Sequence, residues 1–89
     1  ELAARILEQQ RPDVHALVLD CSGVSDVDVT GGERVRHAIR EVKDRGTAVY
    51  FTRVQPRMKP GLEQSGLMSE ENEFVTNRDA FEHISSVRD

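Results

Sequence analysis

Leu17-Val18-Leu19-Asp20-Cys21-Ser22-Gly23-Val24-Ser25-Asp26-Val27-Asp28-Val29-Thr30-Gly31-Gly32-Glu33 decides how the rest of the chain is read. An apolar run passes into a loop dense in Asp and Ser, which delivers a Thr and two Gly to a helix start. The pattern predicts a strand feeding a polar loop that feeds a helix. In open α/β sheets, ligands and partners are met at the carboxyl ends of strands, so any site is expected in the loop from Cys21 to Val29 and at the helix start that follows.

Working outward, Val35, Ala38, Ile39 and Val42 recur at i, i+3, i+4 and i+7 and give the following helix one apolar face. Thr30 and Glu33 have the spacing of a capping box, and Gly46 supplies a left-handed residue to close the helix. Thr47–Thr52 is rich in strand formers and predicts a second strand, parallel to the first across a right-handed crossover. On the amino side, Val14–Leu19 is apolar apart from His15, as in a parallel strand covered on both faces. His15 is read as a structural or edge residue.

Residues 1–10 read as a helix with Leu2, Ala3, Ile6 and Leu7 in its stripe, stopped by Pro12. It has no cap and is already under way at Glu1, so the chain is expected to be a fragment lacking an upstream segment. Gln55-Pro56 opens a further helical stretch with Met58 and Leu62 inward, which Pro60-Gly61 should shorten or kink, and which Ser65-Gly66-Leu67 ends. A short strand is expected through Glu73-Phe74-Val75. Thr76 or Asn77 then caps a last helix with Ala80, Phe81, Ile84 and Val87 inward. Val18, Leu19, Val49 and Phe51 are the expected buried strand residues.

The 89 residues make a single domain, 1–89, with a thin core, because a chain this small buries little more than ~60% of its unfolded surface. No apolar run approaches the roughly 20 residues of a membrane span and no secretory leader is visible, which gives a soluble, intracellular reading. One cysteine, Cys21, leaves no internal disulfide and no cysteine-built zinc site, and reads as a small half-buried residue past a strand. Net charge is −4, with the middle third basic between acidic ends: residues 34–59 carry eight basic and two acidic side chains, while 1–33 and 60–89 carry two and seven each. The basic side chains fall on the non-core face of the central helix without interleaved aromatics, the pattern of a solvated face, and nucleic-acid binding is not supported.

Catalytic motifs do not hold up in context. Asp26-Val27-Asp28-Val29-Thr30 matches the Asp-x-Asp-x-Thr signature of haloacid-dehalogenase-type phosphotransferases, with Asp26 as nucleophile and Asp28 as general acid. That signature needs its first Asp directly off an apolar strand, whereas here the apolar run ends six residues earlier at Asp20, and no downstream lysine and acidic pair completes a magnesium site. Asp20 itself could be read as the phospho-acceptor of a two-component receiver, but the acidic pair of an earlier strand is missing. No phosphate loop with Lys, no Ser/His/Asp set and no His pair at metal spacing occurs, so neither a catalytic residue, a metal nor a cofactor is assigned. Thr30 carries two readings: a helix N-cap, and an exposed hydroxyl where free N–H groups and the helix dipole would receive a phosphate.

The ordered set Leu17-Val18-Leu19-Asp20, Val24, Val27, Asp28-Val29-Thr30-Gly31, Gly46, Val54-Gln55-Pro56, Leu62 with Ser65-Gly66-Leu67, and Phe74 with Ala80 resembles the STAS domain, shared by sulfate permease-type anion transporters and anti-sigma factor antagonists. The resemblance implies an α/β fold with a mostly parallel sheet and about four helices. STAS domains usually begin with a hairpin before the first helix; the hairpin is absent here, so an unsatisfied sheet edge or an uncovered apolar face is expected, and with it lower stability than with the upstream segment, or self-association. Pro60-Gly61 is unusual for the third helix. The resemblance further implies a non-enzymatic regulatory and interaction module, with Asp26, Asp28, Val29, Thr30, Gly31 and Gly32 as its interaction loop and Thr30 aligned to the residue that a partner kinase phosphorylates in the antagonists.

Phe74-Val75-Thr76-Asn77-Arg78-Asp79-Ala80 and Val29-Thr30 resemble the transporter-attached group. The first reading is thus a domain on the cytoplasmic face of the inner membrane, with the transmembrane part of the transporter and cytosolic regulatory proteins as partners. A free antagonist answering to an anti-sigma kinase is the second reading, and a stress-signalling or lipid-transport STAS protein the third. Nucleotide binding belongs to the implied repertoire but has no motif here.

Overall fold

The computed structural model describes residues 2–9, 15–23 and 33–88. Their order is helix α1 (Leu2–Glu8), strand β1 (Ala16–Asp20), helix α2 (Glu33–Asp44), strand β2 (Ala48–Thr52), a 3₁₀ turn (Pro56–Met58) running into helix α3 (Lys59–Gln64), strand β3 (Glu73–Phe74) and helix α4 (Asn77–Arg88). The strands form a parallel sheet in the order β1-β2-β3, with β2 central. Register pairs Leu17 with Val49, Leu19 with Phe51 and Asp20 with Thr52.

Strand alternation sends side chains to two faces that are covered differently. On one face Leu19, Val49 and Phe51 meet Ala3 and Ile6 of α1, Val35, Ala38, Ile39 and Val42 of α2, and Met58, Leu62, Leu67 and Met68 from the segment around α3, all buried in one cluster. The apolar stripe of α2 therefore lies where its spacing places it. Gly46 takes φ of 94°, and the Gly46 and Thr47 N–H groups donate to the Lys43 and Val42 carbonyls, a Schellman closure that turns the chain directly into β2. Pro60-Gly61 leaves α3 only six residues long, yet Met58 and Leu62 are fully buried, as their spacing demands.

The other face carries Val18 and Tyr50 beneath α4, and here the sequence expectations need correction. Val18 is half-buried, because the layer above it is thin. Phe81 points outward, 57% exposed, and Ile84 is only half-buried; the inward positions are Ala80, fully buried, and His83. The His83 ring packs against Tyr50 and Phe74, with centroids 5.6 and 5.1 Å away. The first turn sets this rotation: Thr76, not Asn77, is the N-cap, its hydroxyl accepting the Asp79 N–H at 3.1 Å. Val75 lies beyond β3 and is 80% exposed, and Leu7 of the α1 stripe is 38% exposed. The expected inward placement of Val87 lies outside the described side chains.

Candidate functional site

The carboxyl edge of the sheet is where β1 and β2 end side by side and α4 begins. Asp20 and Thr52, paired in register, both turn toward α4. Asn77, the first residue of α4, accepts a short hydrogen bond from the Thr52 hydroxyl on its Oδ1 and donates from Nδ2 to Asp20 Oδ2 at 3.0 Å. The amide orientation follows from chemistry, since an ionised carboxylate accepts only and must face the NH₂ end. The second Asp20 oxygen accepts the Ser22 N–H at 2.9 Å. Arg53 Nε lies 3.9 Å from Oδ2. Its backbone is left-handed, φ 53°, a conformation costly for a side chain with a Cβ.

These contacts hold the Asp20 carboxyl below its ordinary value of 3.8. The Ser22 backbone N–H contributes most, then the Asn77 amide and the Ser22 side chain, with Arg53 adding a smaller attraction against a burial penalty. Asp20 is therefore a fixed, ionised carboxylate. Cys21, next along, faces the opposite side of the sheet and is fully buried, its N–H extending the ladder to the Thr52 carbonyl at 2.9 Å. Burial and the neighbouring Asp20 charge push its thiol up to about 11, so it is an inert packing residue.

Helix α2 begins at Glu33, beside an open cleft of about 480 Å³ between α1 and α2 lined by Ala3, Ala4, Leu7, Glu33, Arg34 and His37. Its lining combines apolar Ala3, Ala4 and Leu7 with polar Glu33, Arg34 and His37. A second cleft, about 500 Å³, lies on the far side of the sheet between Lys43, Tyr50, Asn72 and His83. Asp26, Asp28, Val29, Thr30, Gly31 and Gly32, the residues singled out from the sequence, lie outside the described residues, as does the Thr30–Glu33 capping box. The structure thus supplies the flanks of that loop. Asn77, Thr52 and Arg53 were not named as site residues, although Asp20 at a strand end and Asn77 at a helix start were each visible separately; only the fold brings them together across 57 positions.

Among the described residues no group of three or more His, Cys, Asp or Glu is placed to hold a metal ion, and no helix is long and apolar enough to cross a membrane. A fixed carboxylate tied to an amide, a hydroxyl and a backbone N–H positions its neighbours.

Comparison with known proteins places this geometry. The STAS domain profile matches residues 1–80. Pendrin of Mus musculus is 32% identical over 77 residues, covering 82% of this chain and 10% of pendrin. Pendrin of Homo sapiens and of Rattus norvegicus are each 31% identical over the same length, with the same coverage. The chain thus spans about a tenth of the length of these relatives. No solved structure matches significantly. With the profile running through both sheet connections and into α4, the chain belongs to the STAS domain family.

Proposed function

We propose that this chain is the regulatory STAS domain of a sulfate permease-type anion transporter, a non-catalytic module at the cytoplasmic face of the inner membrane. It contacts the transmembrane part and cytosolic proteins through the loop between β1 and α2. The observation that carries this reading is the similarity to pendrin, in which the matching stretch is a tenth of a much longer protein. A free anti-sigma antagonist consists of little more than the domain itself. Anion flux in this reading belongs to the membrane part. The domain senses or recruits, and Thr30, three residues before α2 in the sequence, is the residue whose modification alters that contact.

The arrangement at the sheet edge suits such a role. Asp20 is held ionised by three neighbours and fixes the point where the loop departs, so the loop is presented from a rigid base. The cleft beside Glu33 and Arg34 extends the same surface with apolar area.

The test is uptake of labelled sulfate, chloride and bicarbonate by membrane vesicles containing the full-length protein, wild type and Thr30→Glu. A carboxylate near a helix N-terminus is tolerated, so the variant should reach the membrane in normal amounts while its uptake rate changes. A gene product without membrane segments that binds an anti-sigma kinase in a Thr30-dependent way would overturn the proposal.

A further inference from the structure

The bonds at the sheet edge form one continuous chain: Ser22 N–H to Asp20 Oδ1, Asp20 Oδ2 to the Asn77 amide, and Asn77 Oδ1 to the Thr52 hydroxyl. It joins the second residue after β1 to the first turn of α4 through the ends of β1 and β2. What else holds α4 is modest. Ala80 is its one fully buried side chain among those described, His83 and Ile84 are half-buried, and Phe81 faces solvent. Thr52, by contrast, is fully buried, so its hydroxyl depends on Asn77 for a partner.

We infer that Asn77 is a positioning residue, a latch that couples the loop after β1 to the docking of α4. A contact or modification that draws Ser22 or Asp20 away from this chain loosens the first turn of α4 and changes how the helix presents Phe81. In the other direction, a partner that holds α4 in place stiffens the start of the loop. The inference concerns the domain alone and does not depend on the transporter reading.

Hydrogen exchange of the intact protein, read by mass spectrometry on the segments 18–23 and 78–86, tests it. Asn77→Ala should lower protection of 78–86 by about tenfold, the scale of one lost hydrogen bond, and lower that of 18–23 as well. Ser22→Pro removes both the Ser22 N–H and its hydroxyl from the Asp20 carboxylate and touches no part of α4, yet protection of 78–86 should fall. Unchanged α4 protection in that variant overturns the coupling.

Asn77→Asp gives a readout that simple packing would not move. At about pH 7.5 two carboxylates face each other and the latch is open; at about pH 5 a shared proton replaces the amide N–H and closes it. The charged group facing the pair from the end of β2 is Arg53, and the nearest acid along α4, Asp79, is exposed. Protection of 78–86, corrected for intrinsic exchange, should recover toward the wild-type value at the lower pH only in the Asp variant. No recovery overturns the latch, and this comparison decides even if Asn77→Ala does not fold.

Discussion

Helices α2 and α4 are each twelve residues long and lie on opposite faces of the same sheet, yet they are attached in different ways. The first buries Val35, Ala38, Ile39 and Val42, a complete apolar stripe, against Phe51 and Val49. The second buries Ala80, rests His83 between two aromatic rings, and is tied at its start by the Thr76 cap and by Asn77. One helix is held by area, the other by a few directional contacts at one end. Burial of area is insensitive to small rotations and resists local opening, whereas an end-tied helix can be released where it is tied.

The largest effect should come from the area-held helix. Ile39→Ala is expected to cost about 2–5 kcal/mol, enough to threaten a domain with so thin a core, while Arg40→Ala, one residue on and exposed, should stay within about 0.5 kcal/mol. Urea titrations of the two variants check this; equal midpoints would break the assignment of the α2 face.

Next is the tie at the sheet edge. Asn77→Ala leaves the buried Thr52 hydroxyl without its partner and should cost about 1–3 kcal/mol. The variant should also change the acid response. Asp20 has a folded-state value below its ordinary 3.8, so its contribution is complete above that pH and is lost as pH falls through and below it. Removing Asn77 removes the second-largest cause of the depression. The wild type should therefore lose more stability than the variant between neutral pH and the region below 3.8, measured by urea midpoints across that range. Parallel curves would mean that the amide does not act through the carboxylate.

Thr76→Ala should cost about 1 kcal/mol, the usual value of an N-cap, with Thr76→Ser close to wild type. Smallest of all should be Phe81→Ala, expected within about 0.5 kcal/mol because the ring is more than half exposed. A loss comparable to that of Ile39→Ala would show that α4 is held by area after all, and the contrast between the two helices would fall.

The order of elements, the parallel pairing of β1 with β2, the face of α2, the closure at Gly46 and the inward Met58 and Leu62 were all legible in the residues. Each rests on a short-range rule of spacing or backbone conformation, which a linear sequence states directly. The face of α4 was not. Phe81 fits an apolar stripe with Ala80 and Ile84 as well as any inward residue would, and hydrophobicity alone prefers it to His83. What overrides it is a set of partners contributed by distant segments: Tyr50 and Phe74 receiving the imidazole, and Asp20 with Thr52 receiving Asn77. The edge network was hidden for the same reason, since Asp20 and Asn77 each have an ordinary local reading as a strand-end acid and a helix-start amide. Sequence alone determined which segments become helix or strand and which face of α2 turns inward, because periodicity and chain stereochemistry act over a few residues; the rotation of α4 and the meeting of the ends of β1 and β2 with the start of α4 around one carboxylate were decided only by tertiary structure, because hydrogen bonds and ring contacts depend on which partners the fold brings within about 3 to 6 Å.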